Sequence, residues 1–356
     1  MSDSLADLAD STRTEQNIRY RRILLALGLL VLVALALALR TGRLDIGTDD
    51  MLAGFKVLLT KSTAESTADL SPKALAFMLI RLPRCLLALT VGMGISASGA
   101  VYQSVFRNPL VSPDILGVAA GCTFGAALGL ILPQVSFSGV RVLAFFGGVA
   151  AVFSAVAIAR LVSVRMTIIL VLAGIIVTAV FSALLMLIKY TADPLNELPA
   201  LVFWSMGSLS RASWDDMVVI LPVTVVGLGI FHLLRYRLDV LSLGDSQAKA
   251  LGVNPRMYRG LFICLSSLVV AVGVASCGQI AWLGLVVPHL ARTVVGPGNL
   301  RLIPITVLIG GIFLLLADTV ARTALPSELP ISIITALAGA PLFAWLLYRN
   351  RGAGWL

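Results

Sequence analysis

The stretch GISASGAVYQSVFRNPLVSPDILG, from Gly94 to Gly117, interrupts hydrophobic sequence with small and turn-forming residues. A second stretch, GVASCGQIAWLGLVVPHLARTVVG from Gly273 to Gly296, carries glycine and proline with the same spacing 179 residues later. The matched positions are Gly94, Gly99, Pro109 and Gly117 in the first stretch and Gly273, Gly278, Pro288 and Gly296 in the second. Apolar helices that are interrupted in both halves of a membrane protein point to a transport pathway. The pattern therefore predicts a duplicated membrane unit.

The chain is far too apolar to be a soluble domain. Of its 356 residues 58% are hydrophobic and only 13% are charged, whereas soluble domains carry about 25% charged residues. Apolar runs long enough to cross about 30 Å of hydrocarbon recur along the whole sequence. The pattern predicts an all-α integral membrane protein with about ten transmembrane helices, at residues 23–39, 80–104, 115–132, 140–160, 167–188, 217–234, 259–276, 280–294, 302–320 and 331–348. The eighth is short and contains Pro288, so we do not expect it to cross the bilayer cleanly.

The distribution of Lys and Arg predicts the orientation of these helices, because cytoplasmic loops are enriched in positive charge. With the N-terminus in the cytoplasm, sixteen of the 27 Lys and Arg residues lie in cytoplasmic segments. The chain then divides into a cytoplasmic tail (1–22), a ten-helix membrane domain (23–348) and a cytoplasmic C-terminal tail (349–356). Five spans separate the two interrupted stretches, and an odd number inverts direction, so the halves are predicted to form an inverted repeat. The first apolar run lacks a small-residue cleavage site after it, which favours a retained helix over a cleaved signal peptide.

Other classes of function find little support in the sequence. The formal net charge of +9 is better explained by the cytoplasmic loops of a membrane protein than by nucleic-acid binding. The cysteines are expected to be buried small hydrophobic residues, not disulfide partners or metal ligands; they are Cys85, Cys122, Cys264 and Cys277. The sequence contains no G-x-x-x-x-G-K-[ST] phosphate-binding loop. We therefore expect no metal and no cofactor on this chain, and any ATP hydrolysis would need another one.

A polar segment between the sixth and seventh spans predicts a short cytoplasmic helix. Between residues 241 and 255, Asp245 or Ser246 can cap such a helix and Gly252 can end it. Apolar residues give the segment one apolar side, formed by Leu241, Leu243, Ala248, Leu251 and Val253. An exposed helix with an apolar side favours a binding partner; alternatively, it lies on the membrane or on its own bundle. Another short helix is predicted around residues 49–59, in the long outer loop.

Three arginines lie at the outer ends of spans, against the usual bias of positive charge toward the cytoplasm. Arg81 and Arg84 come before the second span, and Arg322 follows Asp318 at the end of the ninth. These arginines could meet an acidic partner that docks from outside. They could equally anchor the helices, with Arg322 paired to Asp318 at i, i+4. The spacing alone favours neither interpretation.

A set of motifs follows in a fixed order from residue 81 onward. The motifs are Arg81-Leu-Pro-Arg84, SGAVYQ (98–103), RNPLVSPDILG (107–117), Leu243-Gly-Asp245, Leu251-Gly-Val253, GLVVPHLAR (284–292), ADTVAR (317–322), ELPI (328–331) and Gly339-Ala-Pro341. Over about Arg81 to Leu347 the chain thus resembles the permeases of type II ABC importers, the family that takes up iron–siderophores, haem and cobalamin.

The resemblance implies a homodimer or close pseudo-dimer in the bacterial inner membrane, with the transport pathway between the two subunits. It implies two ATP-binding cassette subunits that bind ATP and Mg²⁺, and a substrate-binding protein that docks from outside on Arg81, Arg84 and Arg322. The residues expected to couple the chain to the ATPase are Leu243, Gly244, Asp245, Ala248, Leu251 and Gly252. Asn108 and Leu110 match a cytoplasmic gate, and Thr167 matches a second gate position by looser alignment. The implied cargo is an iron–siderophore or haem-type chelate, with cobalamin or an oxyanion such as molybdate as the alternative.

Two other classes of function would require different residue patterns. A secondary transporter would share the inverted repeat, but should place carboxylates near the middle of the membrane. The acids that the sequence singles out, Asp318 and Glu328, lie at membrane edges. A membrane-embedded enzyme would need Ser, His or carboxylate groups on neighbouring helices, and no such pattern is evident.

Overall fold

The computed structural model describes residues 2–60, 70–162 and 166–349, with the backbone alone described at 2–13, 59–60 and 166–167. Within these ranges the chain is built of α-helices joined by short loops. The helices are α1 (Ser2–Arg40), α2 (Thr48–Thr60), α3 (Pro72–Ala76), α4 (Leu82–Phe106), α5 (Val118–Ile131), α6 (Phe137–Val162), α7 (Met166–Thr191), α8 (Glu197–Ser205), α9 (Trp214–Leu233), α10 (Arg235–Leu243), α11 (Asp245–Ala250), α12 (Pro255–Cys277), α13 (Leu283–Val295), α14 (Asn299–Thr323) and α15 (Ile331–Arg349). A π-helical turn, Phe77–Arg81, joins α3 to α4, and a 3-10 turn, Pro113–Leu116, precedes α5.

Ten of these helices match the ten predicted spans. In the described part of the chain, eight segments are long and apolar enough to cross a membrane, and α5 and α13 are shorter apolar helices. With 14 and 13 residues, these two reach only about 20 Å at 1.5 Å per residue. The short eighth span was predicted, whereas the short third span was not. The expected outer helix is α2, and the expected cytoplasmic helix is α11.

The predicted boundary after residue 22 is not marked by a break in the backbone. Helix α1 runs without interruption from Ser2 to Arg40, and its part from Thr14 onward is apolar enough to span a membrane. The predicted C-terminal tail lies outside the described residues except for Arg349, which ends α15.

Helix α4 forms the centre of the bundle because its small residues let neighbouring helices approach closely. A Cβ atom added to Gly99 would lie 1.9 Å from the carbonyl oxygen of Gly284 in α13. One added to Gly92 would lie 2.4 Å from the carbonyl oxygen of Gly310 in α14. Membrane helices rely on such packing, because lipid provides no hydrophobic force that drives helices together. As a result, α4 is buried on almost all sides.

Replacing Gly99 with leucine is expected to prevent normal assembly of the bundle, because the new side chain would overlap backbone atoms of α13. Overpacking typically costs about 1–3 kcal/mol even where side chains can shift. The yield of monodisperse protein in size-exclusion chromatography measures the effect. Gly229 in α9 has nothing within 4 Å of an added Cβ, so Gly229→Leu is the matched control. Equal yields of the two variants would contradict this packing argument.

Two groups of four helices repeat the same order of lengths. Helices α4 to α7 contain 25, 14, 26 and 26 residues, and helices α12 to α15 contain 23, 13, 25 and 19. Arg107, which follows α4, and Arg259, in the first turns of α12, both pair with Asp245. Because the end of α4 lies beside the start of α12, these corresponding helices run in opposite directions. The repeat is therefore inverted, as predicted.

The match at 179 residues does not align equivalent positions of this repeat. Gly99 lies inside α4, whereas Gly278 follows the end of α12 with a φ of 71°. Gly117 precedes α5, whereas Gly296 follows the end of α13. The starts of α4 and α12 are 173 residues apart, and those of α5 and α13 are 165 apart. The inference of a repeat is right, but the spacing of glycine and proline from which it was drawn is coincidental.

Candidate functional site

The candidate site has two ends, which we name by the predicted orientation. The inner end holds α11 together with the end of α4, and the outer end holds the start of α4 together with the end of α14. Candidate residues from distant parts of the sequence meet at both ends. Within the described residues, no group of three or more His, Cys, Asp or Glu side chains is arranged to hold a metal ion.

At the outer end Arg84 is held inside the chain by two carboxylates. Its Nε lies 3.0 Å from Oδ1 of Asp318 in α14, and its Nη2 lies 2.8 Å from the same oxygen. Its Nη1 donates to Oε1 of Glu328 at 2.8 Å. Arg84 and Asp318 are only 6% and 1% exposed. Such a fork of guanidinium hydrogen bonds is among the stronger polar contacts in proteins, and it ties α4 to α14 and to the loop after it.

Arg81 and Arg322 are also buried and bonded to the chain itself. Arg81 is 7% exposed and donates to the carbonyl oxygens of Leu39, at 3.1 Å, and Leu44, at 2.6 Å. Arg322 is 6% exposed, donates to the carbonyl oxygen of Ala38 and lies 3.6 Å from Asp318. The geometry of all three arginines favours the interpretation that they anchor the helices. The predicted i, i+4 pair of Arg322 with Asp318 is also present. Their docking to a partner stays a prediction, and it would require these internal bonds to open.

At the inner end, the predicted coupling segment is a short helix with one side buried against the bundle and the other side exposed. Gly244 precedes α11 with a φ of 121°, and Gly252 follows it with a φ of 74°, so both turns use conformations that favour glycine. Ala248 is fully buried against the bundle. Leu243 and Leu251 are each 55% exposed. The five apolar residues of the segment therefore do not form one exposed side: Leu241, Ala248 and Val253 pack in the core, whereas Leu243 and Leu251 are exposed.

Asp245 links this segment to two membrane helices. Its Oδ1 accepts a hydrogen bond from Nη2 of Arg259 at 2.7 Å and lies 3.6 Å from Nη2 of Arg107. The hydrogen bond from Arg259 holds the pKa of Asp245 below its ordinary value. A lowered pKa means that the pair stabilises the fold above the ordinary pKa and is lost only as the pH falls through the lower value. The link is therefore complete at neutral pH. The expected helix cap is different: Asp245 pairs with Arg259, and Gly244 provides the turn.

The predicted gate residues follow α4 directly. Arg107 ends α4 in the left-handed conformation, with a φ of 51°. Asn108 then accepts a hydrogen bond from the backbone N–H of Leu110 at 2.9 Å, and Leu110 is 59% exposed. The exposed turn is compatible with a gate, but its role stays a prediction. Thr167 lies in the first turn of α7, and its side chain lies outside the described part of the structure.

A second polar link at the inner end was missed by the sequence analysis. Oδ1 of Asp239 in α10 accepts hydrogen bonds from the backbone N–H and from Nδ2 of Asn299, both at 2.8 Å. Oδ1 of Asn299 accepts from the hydroxyl of Ser104 in α4 at 2.9 Å. This link joins the helix before α11 to α14 and α4. Its members are separated by 60 and 195 positions in the chain, so no local pattern reveals it.

An acidic residue deep in the bundle was also missed. Asp114 lies in the 3-10 turn before α5 and is exposed to a cavity of about 180 Å³ that Ile95, Val274 and Trp282 also line. Ile95 is 13 residues into α4, about 20 Å from its outer end at 1.5 Å per residue. Asp114 makes no ion pair with a described residue. The sequence analysis singled out only Asp318 and Glu328, at membrane edges, although the motif RNPLVSPDILG also contains Asp114.

Comparison with known proteins gives the family. The model of the FecCD transport family matches residues 16–349. The chain is 38% identical over 338 residues to the molybdate import system permease protein MolB of Haemophilus influenzae, covering 94% of this chain and 98% of that protein. It is 40% identical over 284 residues to a probable iron chelatin transport system permease protein of Helicobacter pylori, covering 80% and 86%.

A solved structure agrees with this similarity. An inward-facing metal-chelate type ABC transporter matches with a TM-score of 0.81 and 37% identity, over 92% of this chain and 99% of that one. The arrangement of the helices is thus that of a known transporter architecture. The chain belongs to the FecCD transport family and is a multi-pass membrane permease of an ABC importer.

Proposed function

We propose that the chain forms a permease homodimer in the bacterial inner membrane, with both termini in the cytoplasm. Two ATP-binding cassette subunits would hydrolyse ATP with Mg²⁺, and a binding protein would deliver substrate from outside. The permease itself would bind no cofactor. The observation that carries this proposal is the ion pair of Asp245, because it connects the exposed leucines around α11 with the residues next to the gate turn.

The mechanism follows from that connection. A partner that binds Leu243 and Leu251 moves α11, and Asp245 transmits the movement to Arg107 and Arg259. Arg107 is the neighbour of Asn108, so the gate turn moves with the end of α4. Arg259 lies in the first turns of α12, which packs along α4. One carboxylate thus acts on both halves of the repeat.

The substrate that we propose is an iron–siderophore or haem-type chelate, with cobalamin and molybdate as alternatives. Similar proteins are named for iron chelates and for molybdate, so similarity supports both classes. If the cavity beside Asp114 belongs to the transport pathway, the carboxylate would favour a neutral or cationic chelate over an oxyanion.

Uptake into proteoliposomes tests the function. The permease is reconstituted with its ATPase and binding protein, and uptake of an iron–siderophore, haem, cobalamin and molybdate is compared. We expect ATP-dependent uptake of a chelate. Uptake by the permease alone under an ion gradient would contradict the proposal. In the variant Asp114→Asn, improved molybdate uptake would support the electrostatic argument, and an unchanged preference would contradict it.

Reversing the charge of Asp245 is expected to uncouple ATP hydrolysis from uptake. Asp245→Lys would place a cation between Arg107 and Arg259, so that α11 no longer follows their helices. Because the Asp245 side chain is about half exposed, solvent screens these pairs, and such a pair contributes up to about 1 kcal/mol; we therefore expect coupling to fall roughly fivefold. Uptake per ATP hydrolysed is the measurement.

Two further variants control this experiment. Asp49→Lys reverses an exposed acid in the first turn of α2 at the outer end and should leave coupling unchanged. The double variant Asp245→Arg with Arg259→Asp restores opposite charges and should recover part of the coupling. Full coupling in Asp245→Lys would show that the ion pair is not the link.

We further propose that the binding protein docks on Arg81, Arg84 and Arg322, which requires their internal bonds to open. For Arg84, an acidic residue of the binding protein would have to replace Asp318 or Glu328 as its partner. Arg43 is exposed at the same end and donates to the carbonyl oxygens of Arg322 and Leu325, both at 3.2 Å. It is therefore the matched surface arginine against which the buried ones are compared.

A further inference from the structure

A large cavity opens at the inner end of the bundle. It has a volume of about 1270 Å³ and lies between the end of α4, the end of α6, the start of α7, α11 and the start of α12. Five cationic side chains and one acid line its mouth: Arg107, Arg160, Lys249, Arg256, Arg259 and Asp245. The mouth is therefore strongly basic.

Much of this positive charge has no counter-charge among the described residues. The carboxylate of Asp245 serves Arg259 and Arg107. Arg160, Lys249 and Arg256 make no hydrogen bond or ion pair within 4 Å to another described side chain. Arg259 is only 4% exposed, and its Nε is buried without a hydrogen-bond partner. The described residues therefore supply no hydrogen-bond acceptor for this donor.

Deeper in the membrane the same cavity becomes apolar. Val156 and Leu170 line it from α6 and α7, and Ile263 and Cys264 line it from α12. Ile263 is eight residues beyond the start of α12, which is about 12 Å into the bundle at 1.5 Å per residue. Cys264 is exposed, which corrects the expectation that all four cysteines are buried. A soluble anion would use the basic mouth and leave this apolar depth unused.

We propose that the cavity binds an anionic phospholipid, with its headgroup phosphate between Arg160, Lys249 and Arg256 and an acyl chain along Val156 and Ile263. The inference rests on the proposed orientation, which puts the mouth in the cytoplasmic leaflet. Basic pockets between helices on that side are suited to anionic headgroups, because each nearby cation attracts the headgroup. Because Lys249 belongs to α11, the lipid would stabilise the predicted coupling segment against the bundle.

Lipid binding is measured on the full-length permease in nanodiscs of phosphatidylcholine with and without phosphatidylglycerol, followed by native mass spectrometry of the extracted protein. We expect the wild type to retain phosphatidylglycerol selectively. The variant Arg160→Gln with Arg256→Gln should weaken retention at least tenfold. The matched control is Arg19→Gln with Arg22→Gln, which removes two exposed arginines from α1 outside the cavity. Retention by the double cavity variant at the wild-type level would overturn the proposal.

A second variant tests the apolar part without changing any charge. Gly260 lines the cavity, and a Cβ added there meets nothing within 4 Å. Gly260→Phe should therefore fill the cavity, leave the melting temperature unchanged and reduce lipid retention. Normal retention in Gly260→Phe would show that no acyl chain enters.

Two outcomes would assign the site to other ligands. Displacement of the lipid by millimolar inorganic phosphate would indicate a site for free anions. If the permease alone selects phosphatidylglycerol but loses this selectivity when the ATPase subunit is added, the cations meet an acidic protein surface. The lipid assay needs no ATPase and no substrate, so its result is independent of whether the proposed transport function is correct.

Discussion

Leu251→Asp is expected to abolish ATP-driven uptake while the permease stays folded. Leu251 is 55% exposed, so the bundle loses little when it is replaced. Full burial of a leucine contributes about 1.5–3 kcal/mol. Because Leu251 is already about half buried, a partner that covers it gains roughly half of that, and a carboxylate in its place would be buried without a partner. We therefore expect uptake to fall at least tenfold, measured in proteoliposomes together with the ATPase rate and the melting temperature of the permease.

The matched control for this experiment is Leu300→Asp. Leu300 is 47% exposed in the first turn of α14, also at the inner end, and lies outside the segment around α11. An acid in the first helical turn is tolerated well, because it interacts favourably with the helix dipole. Leu300→Asp should transport normally. Normal uptake by Leu251→Asp would reject the coupling segment, and equal defects in both variants would indicate a general effect of negative charge at this face.

Arg84→Met is expected to destabilise the permease by up to about 3–5 kcal/mol, because removing one member of a buried ion pair leaves the other poorly compensated. The carboxylate left behind is that of Asp318, which is 1% exposed and keeps only the longer contact with Arg322, at 3.6 Å. Removing both members in Arg84→Met with Asp318→Leu should cost less than Arg84→Met alone. Unfolding in mixed micelles, followed by circular dichroism, measures the three stabilities.

The same variants separate anchoring from docking. Arg43→Met removes an exposed arginine of the outer end and should change stability by less than about 1 kcal/mol. If Arg84 anchors the bundle, its loss lowers stability, and the double variant restores part of it. If Arg84 instead docks the binding protein, Arg84→Met keeps wild-type stability and fails to bind that protein in a pull-down at low salt. This second result would contradict the anchoring role.

The helical plan of the chain was predictable because it depends on local composition. Each apolar run predicts one membrane span, and the positions of Pro and Gly indicate where helices end. For this reason ten apolar helices were found where the spans were predicted, the short helices α2 and α11 were found in the two predicted loops, and the family was confirmed. The length of α5 and the bounds of α1 could not be predicted accurately from the sequence, since apolar sequence does not stop where a helix ends.

The chemistry of the candidate site was predicted less well, because burial decides it. Spacing left Arg84 equally suited to docking and to anchoring, and only its burial beside Asp318 favours anchoring. Asp114 was overlooked, because a single acid next to prolines looks like an ordinary loop residue. Its depth in the bundle appears only when the 3-10 turn is seen against Ile95.

The sequence by itself therefore determined that the chain is a ten-helix membrane permease of an inverted-repeat type, since hydropathy, turn residues and ordered motifs are read along the chain. The spacing of glycine and proline from Gly94 to Gly117 pointed to the repeat, but through a match that aligns no equivalent positions. Tertiary structure alone decided the partners of the charged residues. Arg84 meets Asp318 across 234 positions, and Asp245 of α11 meets Arg107 at the end of α4. The interior of the membrane and of the bundle does not solvate charge, so a charged side chain pairs with a group that packing brings close to it. The residues next to it in the sequence do not identify that group.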